Sequence, residues 1–274
     1  MIREARGRVE GVWDELEERL RTMLGDASRT DRETARLARL MRLIGELPPP
    51  PDPGSHFTSY GELKQRFLAA AGGDDGELVE ERFLELYAHL HMHEAPYTPE
   101  ERRRLNAGGG YWCHAGGLAP ILKAGDWLGP GSVSADLGAG NGLQGLLLQL
   151  LYPHARTIQL EISSRMIDIG RSLQSWLRIP RERVDWRLGD LLEAPLEDVD
   201  LLYLYRPVRP DGPGRRFYES LARRLEHAPS QVVIFSIADC LGEFLSSRFE
   251  RFYGDGQLTC YRSRDRRWGL GARG

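Results

Sequence analysis

Lysine is almost missing from this chain: Lys64 and Lys123 are its only two, and arginine supplies the rest of the 37 basic side chains. A nucleotide-composition bias produces that pattern, so it carries no functional weight. Cysteine is scarce as well. Cys113, Cys240 and Cys260 form no CxxC and leave one over in any pairing, which reads as reduced thiols in a cytoplasmic protein rather than a disulfide framework. Long apolar runs are lacking too, the longest reaching only about half the roughly 20 residues that a membrane span needs. The opening MIREARGRVEGVWDELEERL alternates charge and has no apolar h-region, so no signal peptide is expected. A basic excess is likewise missing, since the net charge is −3. That argues against a general nucleic-acid binder.

What remains is ordinary for a globular protein: 274 residues, 41% apolar and 28% charged, enough for one large domain with an extension. Residues 1–110 read as helical. Val9, Trp13, Leu16, Leu20 and Met23 share a face at three- and four-residue spacing, and Leu37, Leu40, Met41 and Ile44 do the same after a capping box at Thr30 and Glu33. A proline-rich spacer at 48–54 stops that second helix. Further helices are expected from a box at Ser59 and Glu62, over 77–92, and from a box at Thr98 and Glu101 with Pro99 at the first helical position.

From residue 132 the texture changes. Strands are expected at 133–137, 157–161, 184–188, 201–205 and 231–237, with helices at 143–151, 164–177, 215–225 and 239–247 between and after them. Such alternation predicts an α/β doubly wound, mostly parallel sheet. Phe249–Tyr253 and Gln257–Arg262 flank Gly254-Asp255-Gly256, which predicts a closing antiparallel hairpin.

The first strand runs into Asp136-Leu137-Gly138-Ala139-Gly140-Asn141-Gly142 and then directly into a helix. Alternate glycines let the backbone turn sharply and approach a ligand, and the helix start offers unpaired N–H groups. The third glycine of a dinucleotide fingerprint would fall at 143, which is Leu. The second strand ends in Glu161, an acceptor suited to two ribose hydroxyls, though such a carboxylate serves NAD equally well. The third ends in Gly189-Asp190-Leu191. Together these features resemble the class I, Rossmann-like S-adenosylmethionine-dependent methyltransferases, over roughly residues 111–262.

That resemblance implies S-adenosyl-L-methionine as cofactor and S-adenosyl-L-homocysteine as product. It implies that Asp136 organises the loop and faces the methionine amino group, and that Asp190 accepts from the adenine amine. Gly138, Ala139, Gly140, Asn141, Glu161 and Leu191 complete the expected cofactor set. The Asn/Asp-Pro-Pro-aromatic motif of the family's amino-methylating members is absent after the fourth strand. Tyr205-Arg206-Pro207-Val208-Arg209-Pro210 stands there instead, and its arginines suit a carboxylate or phosphate on the acceptor.

His114 lies between two glycine clusters before the first strand, and its reference pKa of about 6.5 makes it the general-base candidate. Tyr205 and Arg206 are the other candidates for the acceptor side. His89 and His93 share a helix face, but without a second ligand pair they read as a surface cluster near a helix end, and no metal is expected. A basic tail, 263–274, closes the chain. The expected acceptor is a small, anionic molecule. The alternatives are RNA or protein methylation with residues 1–110 as the recognition region, or a non-catalytic nucleoside-binding protein; no membrane association is expected.

Overall fold

A computed structural model describes residues 2–25, 29–51, 56–91, 97–110, 116–194 and 196–264, with side chains from Trp13 onward. Six helices come first: α1 (Ile2–Met23), α2 (Asp31–Glu46), α3 (Tyr60–Ala71), α4 (Gly76–Leu90), α5 (Pro99–Ala107) and α6 (Ala119–Ala124). The chain then alternates through β1 (Val133–Leu137), α7 (Leu143–Leu151), β2 (Arg156–Glu161), α8 (Ser164–Trp176), β3 (Val184–Leu188), β4 (Leu201–Tyr205), α9 (Gly212–His227) and β5 (Val233–Ile237). β6 (Phe249–Gly254) and β7 (Leu258–Ser263) follow.

The seven strands form one sheet in the order β3-β2-β1-β4-β5-β7-β6. β1 to β5 are parallel neighbours, and β7 runs antiparallel between β5 and β6. This is the α/β architecture expected from the sequence. The chain builds outward from β1 through β2 to β3, then crosses to β4 on the other side of β1, so a crevice opens at the carboxyl ends of these strands.

Both faces of the sheet are covered, and the strand period of two sorts side chains between them. Leu201 and Tyr203 of β4 pack with Val233, Phe235 and Ile237 of β5 on one side. Leu202 and Leu204 join Phe217, Tyr218, Leu221 and Leu225 of α9 on the other. The first side is shared with the N-terminal helices: Leu37, Leu40, Met41 and Ile44 of α2 belong to the same apolar cluster as Leu143, Leu146 and Leu147 of α7. Buried between sheet and helices, α7 is apolar nearly all round, as such a helix must be.

Polar contacts reinforce that seam. Lys123 donates to Glu33 at 2.7 Å, Arg36 donates to the Leu122 carbonyl and pairs with Asp126, and Trp176 Nε1 donates to the Pro48 carbonyl at 2.7 Å. The start of the proline-rich spacer is thus anchored on α8.

Two capping boxes form as the sequence predicts, at Thr30–Glu33 and Thr98–Glu101. The one at Ser59 does not. Ser59 is itself helical, at φ −87° and ψ −1°, and caps nothing with its side chain, because an N-cap needs an extended backbone to bring its oxygen round to the N3 amide.

The helix expected over 239–247 is also missing; that segment is a series of turns. Asp239 explains the difference. Its Oδ1 accepts from the backbone N–H groups of Leu241 and Gly242 and from Ser236 Oγ, and its Oδ2 from the Tyr261 hydroxyl. The local turn takes the amides that a helix would use.

Candidate functional site

At the crevice lies a cleft of about 720 Å³. Asp136, Gly138, Ala139 and Gly140 come from the end of β1 and its loop, Glu161 and Ile162 from the end of β2, and Asp190 and Leu191 from beyond β3. Tyr205 and Arg206 line it from the end of β4. One cavity therefore brings together every described residue of the expected cofactor and acceptor set except Asn141.

The loop geometry follows from its glycines. Gly138, Gly140 and Gly142 have φ of +80°, +58° and +68°, a region in which a Cβ clashes with the backbone. At Gly138 an added Cβ would also stand 3.0 Å from Pro207 Cβ, so the loop after β1 and the loop after β4 pass in close contact.

Two carboxylates sit at the floor, each 3% exposed. Glu161 accepts the backbone N–H of Gly140 and that of Ser163, each at 2.9 Å, one on each oxygen. Burial nevertheless raises its pKa to about 7 against the lowering effect of those bonds. Burial, and then the charge of Glu161, raises Asp136 to about 8. Two acids held this way are poised to ionise when a cation arrives. At the rim, Asp190 is exposed; its Oδ1 accepts from Leu192 N at 2.9 Å. Leu191 and Leu192 beside it give an apolar edge, Leu192 being largely exposed.

Basic side chains line the cleft as well: Arg206 after β4, Arg216 of α9 and Arg104 of α5. Arg206 adopts φ +34° and Ala238, at the end of β5, φ +46°; both line the cleft. The β4 loop is held from outside by Tyr218, whose hydroxyl donates to the Val208 carbonyl at 2.7 Å. It is also held by the N-terminal region: Gly110 bridges Val208, and Arg209 N donates to the Gly109 carbonyl.

One expected site residue falls elsewhere, and another is not described. Asn141 is buried and does not line the cleft: its Nδ2 donates to the Leu90 carbonyl and its Oδ1 accepts from Leu143 N. It ties the glycine loop to the end of α4. His114, with Cys113, lies outside the described residues, although Gly110 and Gly116 on either side of that segment line the cleft.

The surface reading of the histidine cluster needs correction. His91 is buried, packs edge-on against Tyr87 and lines the cleft, while His89 is half-buried beside Phe57. The reason is that the end of α4 turns into the cavity wall instead of facing solvent. His93 lies outside the described residues, and no metal-binding group occurs among those described.

Sequence reasoning also missed Gln144, Tyr97 and Arg104, all lining residues. For Gln144 a signal existed: it is one of two polar side chains in the apolar helix LQGLLLQLL.

The residues present fit a nucleoside carrying an amino-acid group. Buried acceptors meet hydroxyl and ammonium groups, positive-φ glycines admit close approach, and Ile162, Leu191 and Leu192 offer apolar surface to a ring. None of the described helices is long and apolar enough to cross a membrane.

No family model matches the chain, and no curated protein matches it. Solved structures do. A methyltransferase from Geobacter sulfurreducens is 14% identical with a TM-score of 0.42, over 60% of this chain and 86% of its own. An rRNA methylase from Streptococcus thermophilus is 12% identical with a TM-score of 0.40, over 53% and 92%. A geranyl diphosphate methyltransferase, solved with its substrate and sinefungin, is 19% identical with a TM-score of 0.35, over 43% and 44%. Identities this low say nothing about function, which has to be read from the cleft.

Proposed function

We propose that this chain is an S-adenosylmethionine-dependent methyltransferase acting on a small anionic acceptor. The observation that carries the reading is the loop of three positive-φ glycines set between buried Asp136 and Glu161 at the switch point of the sheet. When bound, the cofactor supplies an electrophilic methyl group on a sulfonium, and its transfer leaves the neutral thioether S-adenosylhomocysteine.

The protein's own residues do the rest. Glu161 is placed to accept from the ribose hydroxyls with its remaining lone pairs, Asp136 to receive the ammonium group, and Asp190 to accept from the adenine amine. Arg206, Arg216 and Arg104 hold an anion, and Tyr205 orients the acceptor atom. Alignment and exclusion of water are the main demands of such a displacement. A cleft of about 720 Å³ suits a nucleoside with a small partner and falls within the usual range for small-molecule sites.

Single-turnover transfer of labelled methyl from S-adenosylmethionine into cell extract tests this. Label is expected in an anionic small-molecule fraction. Label in RNA or protein rejects the acceptor class, and no transfer with no S-adenosylhomocysteine binding rejects the enzyme.

A further inference from the structure

Two side-chain amides, Asn141 and Gln144, stand where the glycine loop becomes α7, and a third, Gln149, lies near the far end of that helix; Asn141 and Gln149 are engaged at both ends. Asn141 spends both ends on backbone, as described. Gln149 donates to Thr157 Oγ1 and to the carbonyls of His154 and Arg183, while its Oε1 accepts from His154 N. Gln144 differs. It is 2% exposed, in the first turn of α7, and of the three it alone lines the cleft. Its Oε1 accepts from the Tyr87 hydroxyl at 2.8 Å, yet its Nε2 is buried with no hydrogen-bond partner. A buried amide with unspent protons in a cavity wall is normally met by a ligand or water.

The ligand group is indicated by the surrounding charges. Asp136 and Glu161 are buried acids that ionise when a cation arrives, so the cleft floor suits an ammonium rather than a carboxylate. A zwitterionic α-amino-acid group brings both. Its carboxylate needs a donor on this wall, and Gln144 Nε2 is such a donor, without a charge that would neutralise Asp136. The amide is held from outside by the Tyr87 hydroxyl, whose single proton is shared between Oε1 at 2.8 Å and the Gly117 carbonyl at 3.0 Å. Tyr87 belongs to α4, so the N-terminal helices set the orientation of a group in the cofactor site.

We propose that Gln144 binds the carboxylate of the ligand's amino-acid end, with Tyr87 as its positioning residue. Ligands that keep the whole amino acid are thereby selected over truncated nucleosides. This rests on the methyltransferase reading above.

Calorimetric titration with S-adenosylhomocysteine and with 5′-methylthioadenosine, which has the same nucleoside thioether but no amino-acid group, tests it. Gln144→Met should weaken S-adenosylhomocysteine binding about tenfold and leave methylthioadenosine within about twofold, since only one ligand loses a charge-assisted bond. Gln144→Glu, which sets two carboxylates against each other, should weaken it further. Tyr87→Phe should give a smaller loss, about threefold, again confined to S-adenosylhomocysteine.

Retained methylthioadenosine binding shows that each variant is folded, and if Gln144→Met does not fold, Tyr87→Phe decides the matter by the same ratio. Equal losses for both ligands, no loss, or tighter binding in Gln144→Glu would overturn the assignment. Wild-type protein that binds methylthioadenosine as tightly as S-adenosylhomocysteine overturns it while leaving the nucleoside site standing. Wild-type protein that binds neither brings down the methyltransferase reading itself.

Discussion

Glu161 Oε2 accepts the backbone N–H of Gly140 at 2.9 Å, so the carboxylate that ends β2 also holds the glycine loop that ends β1. Its other oxygen does the same for Ser163 N, at the N-cap of α8. One side chain therefore serves two functions: it shapes the loop that admits the ligand, and it keeps lone pairs for the ribose.

Glu161→Ala should remove both. Leaving buried N–H groups unmet costs about 1–3 kcal/mol, so the melting temperature should fall, and S-adenosylhomocysteine affinity should drop at least roughly tenfold. Thermal melts and calorimetry read the two effects separately. A stable, fully binding variant would show that Glu161 neither holds the loop nor meets the ribose.

Much of this site is legible in the sequence because it is local. The strand-loop-helix signal around Asp136 to Leu143 needs only a few consecutive residues, and β1, β3, β4 and α7 end where hydrophobic periodicity places them. What is illegible depends on distant partners. Trp176 meets Pro48 across 128 residues of chain, and no local pattern announces it. Asp239 overrides a helical pattern by a side chain that caps its own backbone and is fixed by Tyr261 of β7. Gln144 announces itself as a polar residue in an apolar helix, but only the structure distinguishes it from Gln149.

The buried acids predict a pH dependence. Burial holds the pKa of Asp136 at about 8 in the folded, ligand-free protein, against the 3.8 of an exposed carboxyl. Between those values unfolding releases a proton, so this group's contribution to stability is full below the lower pH and is lost as pH rises through the upper. Glu161, raised to about 7, has the same sign. Stability of the free protein should therefore fall between about pH 4 and 8, and Asp136→Asn should flatten that slope. Binding of a cationic ammonium should expel these protons: near neutrality, S-adenosylhomocysteine titrations in buffers of different ionisation enthalpy should show net proton release. No buffer dependence would mean that both acids are already ionised.

The shared core predicts one cooperative unit. Leu40 of α2 is fully buried in the cluster that also holds Leu143 of α7 and Val233 of β5. Leu40→Ala should cost about 2–5 kcal/mol. Helicity and ligand protection should melt together in the variant and in the parent protein. Two separate transitions would make residues 1–110 an independent domain after all.

Arg206 combines strain with charge. It follows β4 with φ +34°, and Ala238 follows β5 with φ +46°, both at the cleft wall. Non-glycine residues in this region cost about 1–3 kcal/mol and persist where the surroundings enforce them. Here Pro207 limits the loop, Tyr218 holds the Val208 carbonyl, and Gly110 bridges Val208. Three substitutions separate the two properties. Arg206→Ala keeps the strain and removes the guanidinium, so transfer to the anionic acceptor should fail without a gain in stability. Arg206→Gly relieves the strain as well and should be about 0.5–1 kcal/mol more stable than the alanine variant, after glycine's own entropic cost. Arg206→Lys keeps a cation but not the planar fork, so acceptor binding should weaken rather than vanish. S-adenosylhomocysteine affinity should be the same in all three, because Arg206 is assigned to the acceptor while Asp136, Glu161 and Asp190 meet the cofactor. If all three lost cofactor binding, Arg206 would be holding the site's shape. If the alanine variant transferred methyl at the normal rate, the acceptor would be held by other groups, and an anionic acceptor would lose its main support.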